Sequence, residues 1–421
     1  MKKDNKNLFS LLTFLSRRMR PYKRTEASKV HSLIRLAIPA IALSVAVMLI
    51  TVSVVSGFKG GVRNLIRVVG GDIVLNEFGK VFNDVESRLK APYDMISAIE
   101  QLPRVGGVRT VVQSAGIVKT KDSYQGVSII GLQTPWQRES FSALLQEGTL
   151  PYFSSQDTVS NPIVLPASLA QSLSLKIGDR VNLYILSPQI KLRTFTLTGL
   201  LDLSGTTQPL ALVPQSTLRK VLCLSPDIYS RLEIFSQEEE NVEAAVESIT
   251  TLLRDSRYVE NQTIGLNTAK ELHVNVYDWI AMLDSNAIIL LSLMGLVCSF
   301  TLINCLLILI LDRTYTIAIL KALGMKDGAV MKLFIVISTQ IIGTGLLWGN
   351  FLAFILCFLQ QQFHLLRLDS AIYYLAYVPV EINPIHWLLV NLGAFTLCML
   401  MLLLPVGIIA HITPSKSIKF E

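Results

Sequence analysis

Four long uncharged apolar runs dominate the pattern of hydrophobic and polar positions along this chain. They are Leu36–Phe58, Ser285–Leu311, Leu333–Leu359 and Trp387–Ala410. Each is at least as long as the roughly 20 helical residues that cross a hydrocarbon core of ~30 Å. The first run begins too far into the chain, and is too long, for the apolar core of a cleaved signal peptide. The pattern therefore predicts four transmembrane helices.

The distribution of basic residues predicts the orientation of these helices. Residues 1–35 contain ten Lys or Arg against Asp4 and Glu26, and such a block beside a first span stays in the cytoplasm. Counting spans then places 59–284 and 360–386 outside, and 312–332 and 411–421 inside. The short loops agree: the inner one carries Arg313, Lys321, Lys326 and Lys332, whereas the outer one carries Arg367. The protein is expected in a bacterial inner membrane, with both termini on the cytoplasmic side.

The basic N-terminal segment also contains a short apolar stretch, Leu8–Leu15, that is too short to span. We interpret it as an amphipathic helix lying at the membrane interface, ended by Pro21. The net charge of +7 then indicates contact with anionic membrane lipid. Nucleic acid is not an expected partner, because no basic patch is interleaved with base-stacking aromatic residues.

The long segment between the first two spans mixes strand-like and helix-like patterns. Strands are predicted at Gly126–Leu132, Arg180–Ile185, Leu192–Leu201, Leu210–Val213 and Arg231–Phe235. Helices are predicted at Tyr93–Leu102, Ala167–Leu173 and Glu239–Arg254. The predicted fold class is therefore an α-helical membrane protein of four transmembrane helices, with an α+β extracytoplasmic domain (59–284) inserted between helices 1 and 2.

Several kinds of chemistry are not expected of this chain. It lacks the G-x-x-x-x-G-K-[ST] phosphate loop and the H-E-x-x-H zinc motif, and its five histidines are scattered. Four of its five cysteines lie within the apolar runs, where they pack as small hydrophobic residues. The runs contain no charged side chain, which argues against an ion-coupled carrier. No catalytic residue, metal or cofactor is therefore predicted.

The inner loop 312–332 holds an apolar helix in a position where water is expected. Its sequence, RTYTIAILKALG over Arg313–Gly324, is apolar on most sides, and Gly324 is a typical helix stop. Such a helix either docks into a groove of a partner or folds back against the ends of the spans. The residues leave both interpretations open.

Several motifs resemble those of the FtsX-like ABC permeases, and most closely the lipoprotein-releasing LolC/LolE-type group with a MacB-like extracytoplasmic domain. Arg313–Gly324 resembles their coupling-helix signature, and the first span with its exit through Phe58 resembles theirs. Ser174–Val181 (SLKIGDRV) resembles the L-x-L-x-x-G-D-x-V piece of their outer domain, and Pro414–Glu421 resembles their P-x-x-A-L-R-x-E ending. The motifs follow the family's order along nearly the whole chain.

The resemblance implies a permease that works by mechanotransmission, moving with a cytoplasmic ABC ATPase dimer that alone binds ATP and Mg²⁺. It implies a second copy of the permease, or a sister permease, and a lipoprotein bound for the outer membrane as cargo. The ATPase-coupling residues would be Arg313, Ile317, Ala318, Ile319, Leu320, Lys321, Ala322, Leu323 and Gly324.

Two positions depart from the family pattern. The family carries Glu before the I-A-I-L run, where this chain has Thr316, so an acidic contact is either absent or supplied by Asp312. The stretch Tyr184–Leu192 is short for the hairpin with which some of these permeases recruit a soluble lipoprotein carrier.

A lipid-bearing cargo needs an apolar lining, since each buried CH₂ contributes about 0.8 kcal/mol. The expected lining residues, in the outer halves of the first two spans, are Leu49, Val52, Val55, Ile288, Ile289 and Leu293. Three alternatives remain: a MacB-like efflux permease for peptides or amphiphiles, an FtsX-like regulator of a cell-wall hydrolase, and a membrane receptor with no ATPase partner, against which the apolar helix of the inner loop argues.

Overall fold

The structure, a computed structural model, describes most of the chain. The residues described are 28–80, 87–120, 123–133, 141–142, 144–151, 161–186, 189–203, 209–238, 241–254, 263–369, 373–403 and 405, with side chains from Ala37 onward. The predicted interfacial helix at Leu8–Leu15, the end of the fourth predicted span and the C-terminal tail lie outside these residues.

The chain begins with one long helix, continues with a segment that mixes strands and helices, and ends with a helical part. In chain order they are α1 (Ser28–Gly70), β1 (Ile73–Glu77), β2 (Leu89–Lys90), α2 (Tyr93–Glu100), β3 (Val105–Lys119), β4 (Tyr124–Leu132), β5 (Leu145–Gly148), β6 (Pro162–Pro166), α3 (Ala167–Ser172), β7 (Arg180–Ile185), β8 (Lys191–Leu201), β9 (Leu210–Pro214), α4 (Gln215–Leu222), β10 (Ile228–Tyr229), β11 (Arg231–Ser236), α5 (Val242–Arg254), β12 (Ile264–Thr268), α6 (Ala269–Leu272), α7 (Val274–Asp312), α8 (Thr314–Ala322), α9 (Asp327–Phe363) and α10 (Pro384–Met401).

The chain forms two compact units. The described parts of 1–58, 280–365 and 378–421 make up a helical membrane unit, and those of 59–279 and 366–377 make up an outer domain. Among the described residues, four helices are long and apolar enough to cross a membrane, namely α1, α7, α9 and α10. The predicted fold class is confirmed. The helices α1, α7 and α9 extend beyond the apolar runs, because hydropathy marks the apolar part of a helix and not its ends.

The membrane unit is held by close contacts between α1 and α9. Gly345 and Gly349 lie one turn apart on α9, and a Cβ at Gly349 would stand 2.8 Å from the Ala42 carbonyl oxygen. This is the small-residue packing by which helix backbones approach closely in membranes. Asn350 of α9 and Asn391 of α10 exchange side-chain hydrogen bonds of 2.7 and 3.0 Å, which ties the next pair of helices.

Besides the short pair β2–β10, the described part of the outer domain contains two sheet regions that share the long strand β3. The C-terminal part of β3 pairs with β4 and β7, and the ring β3–β4–β9–β6–β8–β7 closes on itself. Buried Val, Ile and Leu side chains such as Val118, Ile163 and Leu183 fill this six-stranded barrel. The N-terminal part of β3 belongs to a second lobe, in the strand order β12–β1–β11–β3, which packs on α2 and α5 through Met95, Ile99 and Ile249.

The strands and helices predicted for this domain are present, and the structure adds others. The most important addition is β3, fifteen residues long. The glycines and polar residues of β3 interrupt the apolar pattern by which a strand is recognised in a sequence. Its buried positions do not alternate regularly with exposed ones, because the strand is covered on both faces.

Candidate functional site

The short helix α8, between α7 and α9, is half packed and half exposed. Ile317 and Ala318 are fully buried, and Ile317 joins the same apolar cluster as Leu309, Val330 and Phe334. One face of α8 is therefore folded back against its own chain, as one of the two sequence interpretations required.

The opposite face of α8 is apolar and open. Tyr315, Ile319 and Leu323 are 62%, 38% and 80% exposed, and they follow one another at intervals of four residues, on one side of the helix. Ala322 is exposed between them. This exposed face (Tyr315, Ile319, Ala322, Leu323) is the part of α8 that its own chain leaves uncovered, and docking of a partner on it stays a prediction.

The charged members of the predicted coupling set have partners within the chain. Lys321 Nζ lies 2.9 Å from Asp327 Oδ1, and the Lys321 side chain is mostly buried. Arg313 Nε lies 3.3 Å from Asp312 Oδ2. Leu320 and Thr316 are half-buried. Lys321 thus fastens α8 to the start of α9 and is not a surface cation, so the exposed surface of this helix is apolar in character.

Gly324 ends α8 in the geometry predicted from its sequence. Its φ is +89°, the Met325 amide donates to the Leu320 carbonyl oxygen at 3.0 Å, and the Gly324 amide donates to that of Lys321 at 3.0 Å. These two bonds form the Schellman motif, which satisfies carbonyl groups at a helix end. The prediction that Gly324 terminates the helix with positive φ is confirmed.

The residues expected to line a lipid cavity fall into two groups. Ile288, Ile289 and Leu293 are 63%, 66% and 52% exposed on α7. Val52 and Val55 are half-buried on α1, whereas Leu49 is completely buried in the core of the membrane unit. Leu49 therefore contributes to helix packing, and of the six predicted lining residues the three on α7 are the exposed ones.

Sequence reasoning missed a buried ionic cluster in the outer domain. Glu233 of β11 accepts hydrogen bonds from Arg109 Nε at 2.5 Å and from Arg231 Nε at 2.7 Å, and Arg231 also donates to Gln113. Arg109 Nη2 donates to the Val68 carbonyl oxygen of α1 at 2.8 Å. Burial lowers the pKa of Arg109, and the neighbouring Glu233 carboxylate opposes that effect.

The segment that joins α6 to α7 contains another titratable side chain, His273. Burial lowers the pKa of His273 below its ordinary value, so its imidazole is neutral at neutral pH. Within the residues that the structure describes, no group of His, Cys, Asp and Glu side chains could hold a metal ion.

Two protein-family profiles match the chain. The MacB-like periplasmic core domain matches residues 36–252, and the FtsX-like permease C-terminal family matches residues 288–414. The first profile covers more than half of the chain and spans α1 and most of the outer domain. The second covers most of α7 and the helices that follow it.

Curated relatives are similar along nearly their whole length. The lipoprotein-releasing system transmembrane protein LolC of Xylella fastidiosa (strain 9a5c) is 24% identical over 402 residues, which cover 91% of this chain and 93% of the relative. LolE of Haemophilus influenzae is 22% identical over 89% of this chain and 91% of the relative. LolC of Neisseria meningitidis serogroup B is 20% identical over 98% of this chain and 100% of the relative.

Among solved structures, the periplasmic region of MacB from Actinobacillus actinomycetemcomitans matches with a TM-score of 0.37 and 16% identity, covering 50% of this chain and 95% of that one. The two family profiles carry the assignment. This chain belongs to the FtsX-like ABC permeases with a MacB-like periplasmic core domain.

Proposed function

We propose that this chain is the permease subunit of an inner-membrane ABC exporter that releases lipoproteins toward the outer membrane by mechanotransmission. The observation that carries the proposal is the exposed face of α8. An apolar stripe in a water-facing loop is unfavourable unless a partner covers it, and a cytoplasmic ATPase dimer is the partner that fits a permease. ATP and Mg²⁺ would bind to that ATPase.

The orientation belongs to the same proposal. Both termini and α8 lie in the cytoplasm, and the outer domain lies in the periplasm. The positive residues of 1–35 and of the loop around α8 support this orientation, because cytoplasmic loops carry an excess of Lys and Arg.

Lipoprotein cargo is supported by two independent observations. The relatives named LolC and LolE align over 91% and 89% of this chain. The open apolar surface of α7, formed by Ile288, Ile289 and Leu293, would accept acyl chains, and the spans lack charged residues that an aqueous or ion-coupled path would need. Cargo therefore leaves from the outer leaflet or the periplasmic side.

The docking test is a charge placed on the exposed face of α8. Leu323 is 80% exposed, so Leu323→Asp should leave the fold of the chain intact and abolish co-purification of the ATPase with the tagged permease. Gly328→Asp is the matched control: Gly328 is exposed in the first turn of α9, where an added acid is favourable.

Two outcomes would overturn the docking proposal. One is normal recovery of the ATPase with Leu323→Asp, measured by mass spectrometry and by ATP hydrolysis of the purified complex. The other is equal loss of the ATPase with both variants, which would place the docking surface outside α8.

A further inference from the structure

Two of the chain segments of the outer domain that lead to the membrane unit start from neighbouring strands. Helix α1 ends at Gly70 and leads through Gly71 and Asp72 into β1, whereas β12 ends at Thr268 and leads into α6 and α7. The strands β1 and β12 are antiparallel partners, with Ile73 opposite Thr268. The incoming and outgoing connections, here called the stalk roots, are therefore adjacent in the sheet.

Asp72 is bonded to both stalk roots and to the strand beside them. Its Oδ2 lies 3.1 Å from Arg67 Nε on α1 and accepts hydrogen bonds from Ser236 N and Ser236 Oγ of β11 at 2.8 and 3.3 Å. Its carbonyl oxygen accepts a bond of 2.8 Å from the Ala269 amide, where α6 begins. Arg67 completes the arrangement by donating to the Ser236 carbonyl oxygen at 2.6 Å.

The second root is itself stiffened at the point where Asp72 holds it. Thr268 and Glu271 form a reciprocal capping box, with bonds of 2.7 Å from the Thr268 amide to the Glu271 carboxylate and 3.2 Å from the Glu271 amide to the Thr268 hydroxyl. Such a box fixes the first turn of a helix. A displacement of this root is therefore transmitted to Ala269 and its bond to Asp72.

An open groove lies beside these contacts. It has a volume of about 930 Å³ and is lined by α1 residues including Arg63 and Arg67, by α5 residues including Glu243, and by Lys270 and Tyr277 of the second root. Side chains leave this space open between the two roots. At its edge the roots are joined by the pairing of β1 with β12 and by the backbone bond from Ala269 to Asp72, while the Asp72 side chain ties the end of α1 to β11.

We propose that Asp72 is a positioning residue whose side chain clasps the end of α1 to β11, beside the point where its carbonyl oxygen holds the start of α6, so that motion of α1 moves the α+β lobe as one body. This inference rests on the proposed mechanotransmission. Without the clasp, β1 would still pair with β11 and β12, but the end of α1 would no longer be fixed to β11, so the same motion would widen the groove and less of it would reach the sheet.

The test measures the separation of the roots directly and does not depend on cargo. Spin labels are attached to Asn64→Cys on α1 and Lys270→Cys on α6, both exposed positions lining the groove, in a Cys223→Ser background. In the complete permease–ATPase complex, the distance distribution should stay the same on addition of ATP and vanadate. Asp72→Ala keeps the backbone bond to Ala269 but removes the side-chain contacts with Arg67 and Ser236, so the distribution should broaden or shift. With Asp72→Asn, which keeps an oxygen acceptor for Ser236 N–H, the change should be smaller.

A second readout is the amount of a triacylated lipoprotein released from proteoliposomes per ATP hydrolysed. Asp72→Ala should lower that ratio by about fivefold or more, the lower end of ordinary coupling between sites, with ATP hydrolysis retained. The control is Asp227→Ala, which removes a surface carboxylate 4.0 Å from Lys90 in the same domain.

The clasp is refuted if Asp72→Ala, folded as judged by thermal melting, keeps the wild-type distance distribution with and without nucleotide. It is also refuted if Asp227→Ala changes that distribution equally. Failure of wild-type protein to release the lipoprotein would instead contradict the proposed cargo, because the label distances test the clasp independently of it.

Discussion

At the scale of the single residue, the backbone conformation of Gly324 determines where α8 ends. Its φ of +89° closes the Schellman motif, and nothing lies within 4 Å of the place where a Cβ would stand. The requirement for glycine is therefore one of backbone conformation and not of space.

Gly324→Val is expected to weaken the end of α8. A left-handed conformation costs an L-residue roughly 1–2 kcal/mol, and a branched Cβ tolerates it poorly. The variant should insert into the membrane at wild-type levels, but less ATPase should co-purify with it. Gly324→Asn should behave nearly as wild type, because Asn adopts the left-handed conformation more readily. Normal assembly and ATP hydrolysis by the valine variant would show that this helix end is not part of the coupling.

Removal of the Glu233 side chain should strongly destabilise the outer domain. It is completely buried between Arg109 and Arg231, so Glu233→Ala leaves two buried cations without their carboxylate. Breaking a buried pair in this way costs about 3–5 kcal/mol. Thermal melting of the purified full-length protein should show a large loss for Glu233→Ala and little change for Glu243→Ala on the exposed surface of α5.

The two residues also differ in what the sequence could reveal. Gly324 follows an apolar helix and is followed by polar residues, so its role was predictable from local sequence. Glu233 and Arg231 alternate along a strand in a way that favours a solvent-facing side. Their burial depends on Arg109, more than a hundred residues away, and on the end of α1. The pattern of one strand carries no information about these distant partners.

At the scale of elements, the packing of α1 on α9 depends on a face without side chains. A Cβ at Gly349 would meet Ala42 and Val45 of α1, whereas nothing lies within 4 Å of a Cβ at Gly343, two turns earlier on α9. The two glycines therefore form a matched pair for testing this contact.

Gly349→Leu is expected to destabilise the membrane unit, and Gly343→Leu is not. Forcing extra methylene groups into a packed interface costs typically 1–3 kcal/mol. Thermal unfolding in detergent should therefore occur at a lower temperature for Gly349→Leu than for Gly343→Leu. Equal unfolding temperatures would show that α1 and α9 do not depend on this close approach.

The exposed surface of α7 leads to a prediction about cargo. Ile289→Asp places a charge on that surface near the end of the span, where insertion tolerates it. It should abolish lipoprotein release and preserve basal ATP hydrolysis. Leu392→Asp, on the exposed surface of α10, is the control that should still release cargo. Unimpaired release by Ile289→Asp would exclude this surface as a lipid site and favour peptide efflux or regulation of a hydrolase.

The sequence predicted the types of most elements, but not how they combine. Alternation identified β7 and β8, and apolar length identified the spans. The closed barrel could not be predicted, because one half of β3 must pair with both β4 and β7 to close the ring while the other half pairs with β11 in the second lobe. Likewise, the apolar character of α8 left its two faces equivalent until the positions of α7 and α9 assigned one of them to the chain's own core.

At the scale of the whole molecule, cysteine exposure reports the proposed orientation. Cys223 is exposed on the outer domain, whereas Cys298, Cys305, Cys357 and Cys398 are buried in the membrane unit. A membrane-impermeant maleimide added to spheroplasts should therefore label the wild-type protein, and Cys223→Ser should remove the signal.

The opposite side is tested with Lys326→Cys in the Cys223→Ser background. Lys326 is exposed beside α8, so its cysteine should react after the membrane is permeabilised and not before. Labelling of Lys326→Cys in intact spheroplasts would reverse the proposed topology and place α8 out of reach of a cytoplasmic ATPase.

The pairing of β1 with β11 and β12 also sets an order of events during synthesis. β1 is the first strand made, and both of its neighbours are among the last, since β12 ends at Thr268 immediately before α6 and α7. The lobe therefore cannot complete its sheet until the ribosome has reached the second span. A nascent chain stopped before Ile264 would leave one edge of β1 unpaired, and an unpaired strand edge is a template for aggregation. We therefore expect the lobe to complete its sheet only at about the time when α7 is made.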